Sequence, residues 1–292
     1  MTQTCIRAGL GAATLGAMLC VAPQPATAGD RLLATGGVTQ VEGAAGGGLV
    51  PWALIAGTGA DGQIAATGSL TQLHTSGGYG LRAAGVAIGF HNRLELSAST
   101  LRFGLSDTVP GQSIALDTLG VKLRIAGDAV YDQDLPWPQI SVGAQWKRNR
   151  DHDQVPRALG SASASGTDLY VSASKVWLAG IAGRNLLANL TLRATNANQF
   201  GILGFGGPNG SARRVKPEVA AALFVNDNLV VGIEYRAKPD NLPVFREQSA
   251  HDVFVAWFPS RHFSLTAAYV NLGNIANKPN QAGWYLSAQF AY

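Results

Sequence analysis

The sequence has very little cysteine. Of its 292 residues only Cys5 and Cys20 are cysteines, and both lie near the N-terminus. Residues 1–28 read as a cleaved signal peptide, with Arg7 as the positive charge, an apolar run behind it, and Ala26-Thr27-Ala28 as an A-x-A cleavage site. The mature chain, residues 29–292, would then have no thiol and no disulfide, so other interactions must hold its fold.

Two alternatives to a cleaved signal peptide are disfavoured. The apolar run is too short and too rich in alanine for a membrane anchor of about 20 residues. Cys20 could carry a lipid, but the preceding Ala17-Met18-Leu19 places neither a leucine three positions before it nor a small residue directly before it.

Charged residues are scarce as well. They make up 14% of the chain, against about 25% in an ordinary soluble domain. One of the 22 basic residues, Arg7, lies in the signal peptide, which leaves 21 basic against 18 acidic residues. This excess is too small and too scattered for a nucleic-acid-binding protein.

The chain after residue 28 also lacks an unbroken apolar run of about 18 residues, which excludes a helical membrane protein. The whole sequence is instead rich in glycine, at 36 of its 292 positions, and has an ordinary hydrophobic content of 47%. These features are typical of a membrane β-barrel, but they also fit a secreted β-sandwich.

Alternation of apolar and polar residues separates these two classes. Residues 186–195, 263–269 and 284–292 place apolar side chains on one face and mostly polar or small ones on the other. The polar faces carry few charges, unlike the solvent face of a sandwich, and the segments have the roughly ten residues of a tilted membrane strand. The pattern therefore predicts an all-β, transmembrane, antiparallel up-and-down β-barrel.

The connections give the strands a direction. Long loops rich in Gly, Pro and Asn alternate with short turns, as in barrels with external loops and periplasmic turns. Thirteen segments read as strands, and because such barrels have even strand counts we predict fourteen, with the weak segment Leu32–Glu42 as the additional one. The alternative is a barrel of twelve strands with this N-terminal stretch folded inside as a plug. Lys175, Arg82 and Arg102 do not fit the pattern, since they fall on apolar faces.

Several stretches resemble a family of bacterial outer-membrane proteins known as domain of unknown function 3034. They include Leu33–Gln40, Gly46–Ala53, Gly127–Asp134, Leu192–Gly201 and the region from Glu234 to Asn241. The resemblance extends over the mature chain and implies an outer-membrane location, but it implies no activity. The C-terminal Tyr292 is similar to the terminal aromatic residue by which the barrel-assembly machinery recognises its clients, which would make that machinery a partner.

The polar faces supply the candidate functional residues. Charges on the inner face of a barrel either brace it as ion pairs or line a path for solute. The lumen-lining candidates are Lys122, Arg124, Lys147, Arg193, Glu218, Glu234 and Arg236. Because most of them are basic, a pore would mildly prefer anions.

A second basic set lies in and beside the predicted external loops. It could pair with the phosphates of lipopolysaccharide, or it could simply keep the loops soluble. Its members are Arg148, Arg150, Arg157, Arg213 and Arg214.

We therefore expect a narrow passive conduit for a small solute. The alternative is a non-conducting barrel that acts as a structural or partner-binding platform through its loops. A membrane-embedded enzyme that modifies lipids is a distant third possibility, based on His262 and Ser264 on one strand face, but no acidic residue follows them to orient the histidine. No motif indicates a cofactor or a metal, and the sequence does not predict the oligomeric state.

Overall fold

The structure, a computed structural model, describes residues 31–276 and 278–292, so the predicted signal peptide lies outside the described residues. The fold is all-β, with twelve long strands that follow two very short ones. The strands are β1 (Val38–Thr39), β2 (Ala45–Gly46), β3 (Ile64–Thr75), β4 (Gly80–Phe90), β5 (Leu94–Gly104), β6 (Ser113–Ala126), β7 (Gln139–Asn149), β8 (Ser165–Ile181), β9 (Arg184–Thr195), β10 (Arg214–Asn226), β11 (Leu229–Arg236), β12 (Ala250–Ser260), β13 (Phe263–Asn271) and β14 (Ala282–Ala291). A one-turn helix, Val155–Ala158, and a 3-10 turn, Asn198–Gly201, lie in loops.

Strands β3 to β14 form a closed barrel in which each strand pairs antiparallel with its neighbour in sequence. The ring closes between β14 and β3, with Ser287 opposite Thr71. Closure leaves no strand edge unpaired, as a spanning sheet requires. Alternate side chains point outward and inward along each strand because the strand period is two.

The connections distinguish the two ends of the barrel. Loops 105–112, 150–164, 196–213, 237–249 and 272–281 lie at one end, which we call the long-loop end. The opposite end, the short-turn end, has tight turns such as 182–183, 227–228 and 261–262, and the chain terminates there after β14. Two connections depart from this rule, since residues 127–138 form a twelve-residue loop at the short-turn end and residues 76–79 form a four-residue turn at the long-loop end.

The prediction of fourteen barrel strands was wrong, because the N-terminal stretch does not join the barrel wall. The described residues form fourteen strands, but only twelve of them form the barrel, as in the alternative prediction. Residues 34–57, which we call the plug, lie inside the barrel, where β1 and β2 form a small hairpin of their own. Residues 49–56 are buried on every side instead of alternately, because the walls surround them. They therefore do not form a barrel strand, although residues 48–56 were one of the thirteen segments that read as strands in the sequence.

The outward face forms the apolar belt that the alternation predicts. Outward leucine, isoleucine and valine side chains are exposed on the strands, Leu70, Val121 and Ile233 among them. Exposed aromatic side chains lie towards both ends, with Trp177 and Trp257 near the short-turn end and Trp146 and Trp284 near the long-loop end. This arrangement matches the two aromatic girdles of membrane barrels. In the described part of the chain, no helix is both long and apolar enough to cross a membrane.

Lys175 is explained by the unusual loop at the short-turn end. Its side chain leaves the outer wall of β8 but is only 4% exposed, because residues 127–138 fold over it. Its Nζ donates hydrogen bonds to the carbonyl oxygens of Asp132 (2.5 Å) and Leu135 (3.0 Å). The loop therefore supplies the polar partners that this lysine would lack on a lipid-facing wall.

Candidate functional site: the plugged lumen

Six of the seven lumen candidates point into the barrel and are almost fully buried. Lys122, Lys147, Arg193, Glu218, Glu234 and Arg236 are each no more than 3% exposed. The seventh, Arg124, lies at the short-turn mouth, where it pairs with Asp128 (3.1 Å) and Asp61 (3.4 Å). It contributes to the edge of the barrel and not to its interior.

A cluster of three cations and three carboxylates lies inside the lumen, towards the long-loop ends of the strands that carry it. Its barrel members are Lys147, Arg193, Arg236, Asp168 and Glu218, and we call it the central cluster. Arg193 Nε lies 2.6 Å from Glu218 Oε1, and Lys147 Nζ lies 2.6 Å from Asp168 Oδ2. Alone, these five residues would leave one positive charge in excess.

The sixth member of the central cluster, Glu42, comes from the plug. Its carboxylate lies 2.5 Å from Lys147 Nζ and 3.0 Å from Arg236 Nη1, with Arg193 Nη1 at 3.8 Å. All three cations therefore face one carboxylate that is not part of the barrel. Glu42 neutralises the cluster, and in doing so it ties the plug to the wall.

A second ion pair holds the plug by its backbone. Lys122 Nζ donates to Glu95 Oε2 (3.0 Å) and to the carbonyl oxygens of Ala45 (2.9 Å) and Leu54 (2.8 Å). Glu95 in turn accepts hydrogen bonds from the backbone N–H groups of Ala45 (3.1 Å) and Ala56 (2.9 Å). The wall thus satisfies backbone groups that the short β1–β2 hairpin leaves unpaired.

Further wall side chains do the same for the returning half of the plug. Glu234 accepts hydrogen bonds from the N–H groups of Leu49 (2.8 Å) and Val50 (3.2 Å). The carbonyl oxygen of Pro51 accepts one from Thr191 (2.8 Å). A β carbon at Gly47 would collide with the Glu234 side chain, so this contact explains part of the glycine-rich composition of the plug.

Four buried acids were missing from the predicted set. Glu95, Asp168 and Asp252 lie on inward positions of β5, β8 and β12 and are at most 5% exposed. Each has at least one apolar outward neighbour in the sequence, as Glu95 has Leu94 and Leu96. This alternation of apolar and polar residues would have identified them as inward-facing. Glu42 had no such signal, since the plug is not periodic.

The lumen is closed at the long-loop end as well. Residues 197–206 of the loop between β9 and β10, which we call the inner loop, fold into the mouth and are buried. Gln199 and Phe200 have positive φ angles of 45° and 64°, a conformation that costs a non-glycine residue about 1–3 kcal/mol. The carbonyl oxygen of Phe200 accepts a hydrogen bond from Lys147 (3.3 Å). The central cluster therefore holds both the plug and the inner loop.

The remaining lumen surface near the long-loop end is apolar. Six inward side chains of β3 to β6 form what we call the apolar wall: Leu73, Leu81, Leu101, Phe103, Ile114 and Leu116. All of them except Ile114 line a void of about 20 Å³, together with residues of the plug, the inner loop and the loop between β13 and β14. This volume holds about one water molecule, so the described residues leave no open passage through this part of the lumen.

The predicted basic loop residues fall into two groups. Arg157, Arg213 and Arg214 lie in or beside loops, where Arg157 pairs with Asp153 (3.2 Å) and Arg213 donates to the Thr167 carbonyl oxygen (2.6 Å). Arg148 and Arg150 lie instead on the outer wall at the end of β7, where Arg150 pairs with Asp117 (3.2 Å).

The histidine–serine pair is not assembled as a reactive site. His262 Nδ1 lies 3.0 Å from the carbonyl oxygen of Ala291, at the surface of a tight turn. Ser264 points inward and is 3% exposed, and among the described residues its hydroxyl has no hydrogen-bond partner. No hydrogen bond joins the two side chains in this part of the chain.

These features define a class of protein before they define a family. A closed antiparallel barrel with an apolar outer belt, aromatic girdles and a polar interior is a transmembrane β-barrel of the outer-membrane type. The chain belongs to the family described as "Protein of unknown function (DUF3034)", whose model matches residues 35–289. The match confirms the resemblance noted in the sequence.

Comparisons with other proteins add only distant similarities. No curated protein sequence matches the chain. Among solved structures, the chain is similar to the KdgM porin, with 9% identity over 77% of this chain and 99% of that one and a TM-score of 0.48. It is also similar to the Acinetobacter baumannii outer membrane protein Omp33, with 11% identity, coverages of 79% and 98% and a TM-score of 0.44. The COG4313 outer membrane channel from Pseudomonas putida F1 gives 12% identity, coverages of 80% and 96% and a TM-score of 0.37.

Proposed function

We propose that the protein is an outer-membrane conduit for a small solute that opens when the plug leaves the lumen. The observation that carries this proposal is Glu42, a carboxylate supplied by the plug to three cations of the barrel wall. A permanent brace could be built from wall residues alone. Here the neutral state of the central cluster depends on a separable segment.

The same cluster would give the conduit its mild anion preference. Without Glu42, Lys147, Arg193 and Arg236 face only Asp168 and Glu218. A small anion could then replace the missing carboxylate, because carboxylate and phosphate oxygens accept the same charge-assisted hydrogen bonds. The other buried wall charges, Lys122, Glu95, Glu234 and Asp252, include more acids than bases. The preference is therefore a property of the central cluster and not of the whole lumen.

The path of the chain makes withdrawal of the plug feasible. Arg31, just before the plug, donates hydrogen bonds to the carbonyl oxygens of Ile55 (3.0 Å) and Gly57 (3.3 Å), at its far end. Both ends of the plug therefore lie together, and β3 starts at the short-turn end. The plug can leave through that mouth as a hairpin, without threading its end through the barrel.

In this proposal the short-turn end faces the periplasm and the long loops face outward, as in other barrels of this type. The outer-membrane lipids would surround the apolar belt. The barrel-assembly machinery would recognise the last strand, which ends at Tyr292.

A second candidate is the non-conducting platform. It is favoured by the double closure of the lumen, with the plug on one side and the inner loop on the other. In this case the central cluster would be a permanent brace, and function would lie in the loops.

Conductance of two matched variants separates these candidates. Glu42→Gln and Glu218→Gln each neutralise one carboxylate of the central cluster, but only the first loosens the plug. The folded proteins would be placed in planar lipid bilayers, with single-channel currents and reversal potentials recorded in a salt gradient. We expect Glu42→Gln to raise the open probability at least about tenfold, equal to about 1.4 kcal/mol, with weak anion selectivity.

Glu218→Gln should not raise the open probability, because the wall cations that it frees attract Glu42 more strongly. Equal currents from both variants would show that plug release through Glu42 is not the gate. Folded protein that passes no current in any variant would refute the conduit and leave the platform.

A further inference from the structure

The polarity of the barrel wall is inverted over part of its circumference. At the long-loop ends of β3 to β6, the inward positions are occupied by the six side chains of the apolar wall. Most outward positions there are polar, namely His74, Gln72, Arg82, Thr100, Arg102 and Asp117, with Ala115 as an apolar exception. This inversion is the reason that Arg82 and Arg102 did not fit the sequence pattern.

The outward positions carry a concentrated positive charge, which we call the arginine patch: Arg82, Arg102, Arg148 and Arg150. Arg82 lies directly opposite Arg102 on the neighbouring strand, and Arg148 lies opposite Asp117. Asp117 is the only acid among these outward positions of β3 to β7, and it pairs with Arg150. Within the described residues, Arg82, Arg102 and Arg148 make no ion pair.

Such a pairing is unfavourable unless something else neutralises it. Directly opposed residues of an antiparallel pair have β carbons about 4.5–5.5 Å apart, and like charges at this distance destabilise the sheet. Two guanidinium groups held side by side on an outer wall therefore suit an external anion with several oxygen atoms. Phosphate, which guanidinium groups bind in a bidentate manner, has this chemistry.

Two adjoining grooves extend from the patch along the outer wall. The larger, about 1120 Å³, includes Arg82, Arg102 and Arg150 and continues over Ala84, Leu286 and Ala288. The smaller, about 770 Å³, includes Arg148 and continues over Gly68, Ala98 and Phe290. They share Leu70, Ala84 and Thr100. The grooves exist because small residues lie between bulky ones on the outer wall. Each groove is positively charged at the long-loop end and mostly apolar along the rest of its length.

The height of the patch matches the boundary of a bilayer. On β7, Arg148 is the next outward position beyond Trp146, which belongs to the aromatic girdle of the long-loop end. Interfacial tryptophan lies at the level of the lipid headgroups. The arginines are therefore at the depth of lipid phosphates, and the grooves below them are at the depth of acyl chains.

We infer that this surface binds a phosphorylated, multiply acylated glycolipid of the outer leaflet, of the lipopolysaccharide type. The arginine patch would bind the phosphates, and the two grooves would hold separate acyl chains. The inference rests on the outer-membrane orientation proposed above, but not on conduction, since the site is on the opposite face of the wall from the lumen. It differs from the basic loop residues Arg157, Arg213 and Arg214, which line neither of the two grooves.

Lipid binding to a charge-matched pair of variants tests this inference. Arg82→Gln/Arg102→Gln removes two charges from the patch, and Arg213→Gln/Arg214→Gln removes two from a loop. Folded, delipidated protein in mild detergent would be titrated with bisphosphorylated hexa-acylated lipid A, and bound lipid counted by native mass spectrometry. We expect the patch variant to bind at least about tenfold more weakly, from the loss of charge-assisted hydrogen bonds, and the loop variant to bind like the wild type.

Two further probes test the two halves of the site. Lipid A without its phosphates should bind the wild type at least as weakly as the intact lipid binds the patch variant, because the variant keeps Arg148 and Arg150. Ala84→Phe, which fills the shared part of the grooves and leaves every arginine in place, should also weaken binding. Because Ala84 points outward, this variant keeps the inference testable if the patch variant does not fold.

Three results would overturn the inference. The patch and loop variants could lose binding equally, which would indicate general charge attraction. The dephosphorylated lipid could bind as tightly as the intact one, which would remove the role of the arginines. Phosphatidylglycerol, with two acyl chains and one phosphate, could compete at equal concentration, which would show an unspecific anionic-lipid surface.

Discussion

The two sides of the lumen are built on different principles. The central cluster joins β7 to β11 to the plug through ion pairs of 2.5 to 3.8 Å, all of them buried. The apolar wall of β3 to β6 packs leucine and aromatic side chains against the same plug, with Phe103 stacked on Tyr79 at 5.2 Å between ring centroids. The plug therefore contacts β7 to β11 through ion pairs, which depend on direction and distance, and β3 to β6 through apolar packing, which does not depend on direction.

The two contact surfaces have different roles: the ion pairs fix where the plug lies, and the apolar contacts fill the space around it. Charged groups in a dry interior require partners at fixed places, so the central cluster specifies where Glu42 lies. Apolar contacts tolerate exchange between side chains of similar volume. The charged side should therefore respond to single substitutions much more strongly than the apolar side.

The largest expected effect is on the charged side. Arg193→Met leaves Glu218 and Asp168 short of a buried partner, and breaking a buried ion network in this way costs about 3–5 kcal/mol. We expect a clear fall in the denaturant midpoint of the folded barrel, followed by tryptophan fluorescence. An unchanged midpoint would mean that water or rearranged cations replace Arg193, and the comparison between the two sides would fail.

The matched substitution on the apolar side should have a smaller effect. Leu101→Met introduces the same residue into the apolar wall, where a change of shape at nearly constant volume costs less than about 1.5 kcal/mol. The same denaturation experiment measures both variants. A loss as large as that of Arg193→Met would show that the apolar wall is also tightly specified.

The smallest effect is expected above the apolar side, at the long-loop rim. Lys278 donates a hydrogen bond to Asp107, and with Ser106 it lowers the pKa of that exposed carboxyl. Because the pKa of Asp107 is lower in the folded protein than in the unfolded chain, its contact with Lys278 stabilises the loop at pH values above the unfolded pKa of about 3.9. This stabilisation is lost as the pH falls through the lower pKa of the folded state. We expect faster amide exchange in residues 105–112 only in strong acid. Asp107→Asn, compared at each pH, should remove this dependence, and the same acid response in the variant would contradict the assignment.

The predictability of these regions from sequence differs for a physical reason. Lys122, Lys147 and Arg193 could be placed in the lumen because strand alternation against an apolar outer face is strict. Glu42 could not be placed, since the plug has no period and its contacts depend on the assembled barrel. Arg82 and Arg102 lie on the outward face where the alternation placed them, but they did not fit its apolar character because β3 to β6 reverse the usual faces near the rim, where the inside packs against protein and the outside leaves the hydrocarbon.

The entry and exit of the plug at one mouth also affect the order of folding. Ring closure joins β3 to β14, and the hydroxyl groups of Thr71 and Ser287, separated by 216 residues in sequence, meet at 2.8 Å. Pairing over such a distance is slow because the entropy of a long loop is lost before the contact forms. The N-terminal hairpin need not wait for this step or precede it, since the described residues 31–57 enter and leave the lumen at the same mouth. Barrel assembly and plug insertion are therefore topologically independent, and a newly closed barrel could acquire its plug as a separate, later event.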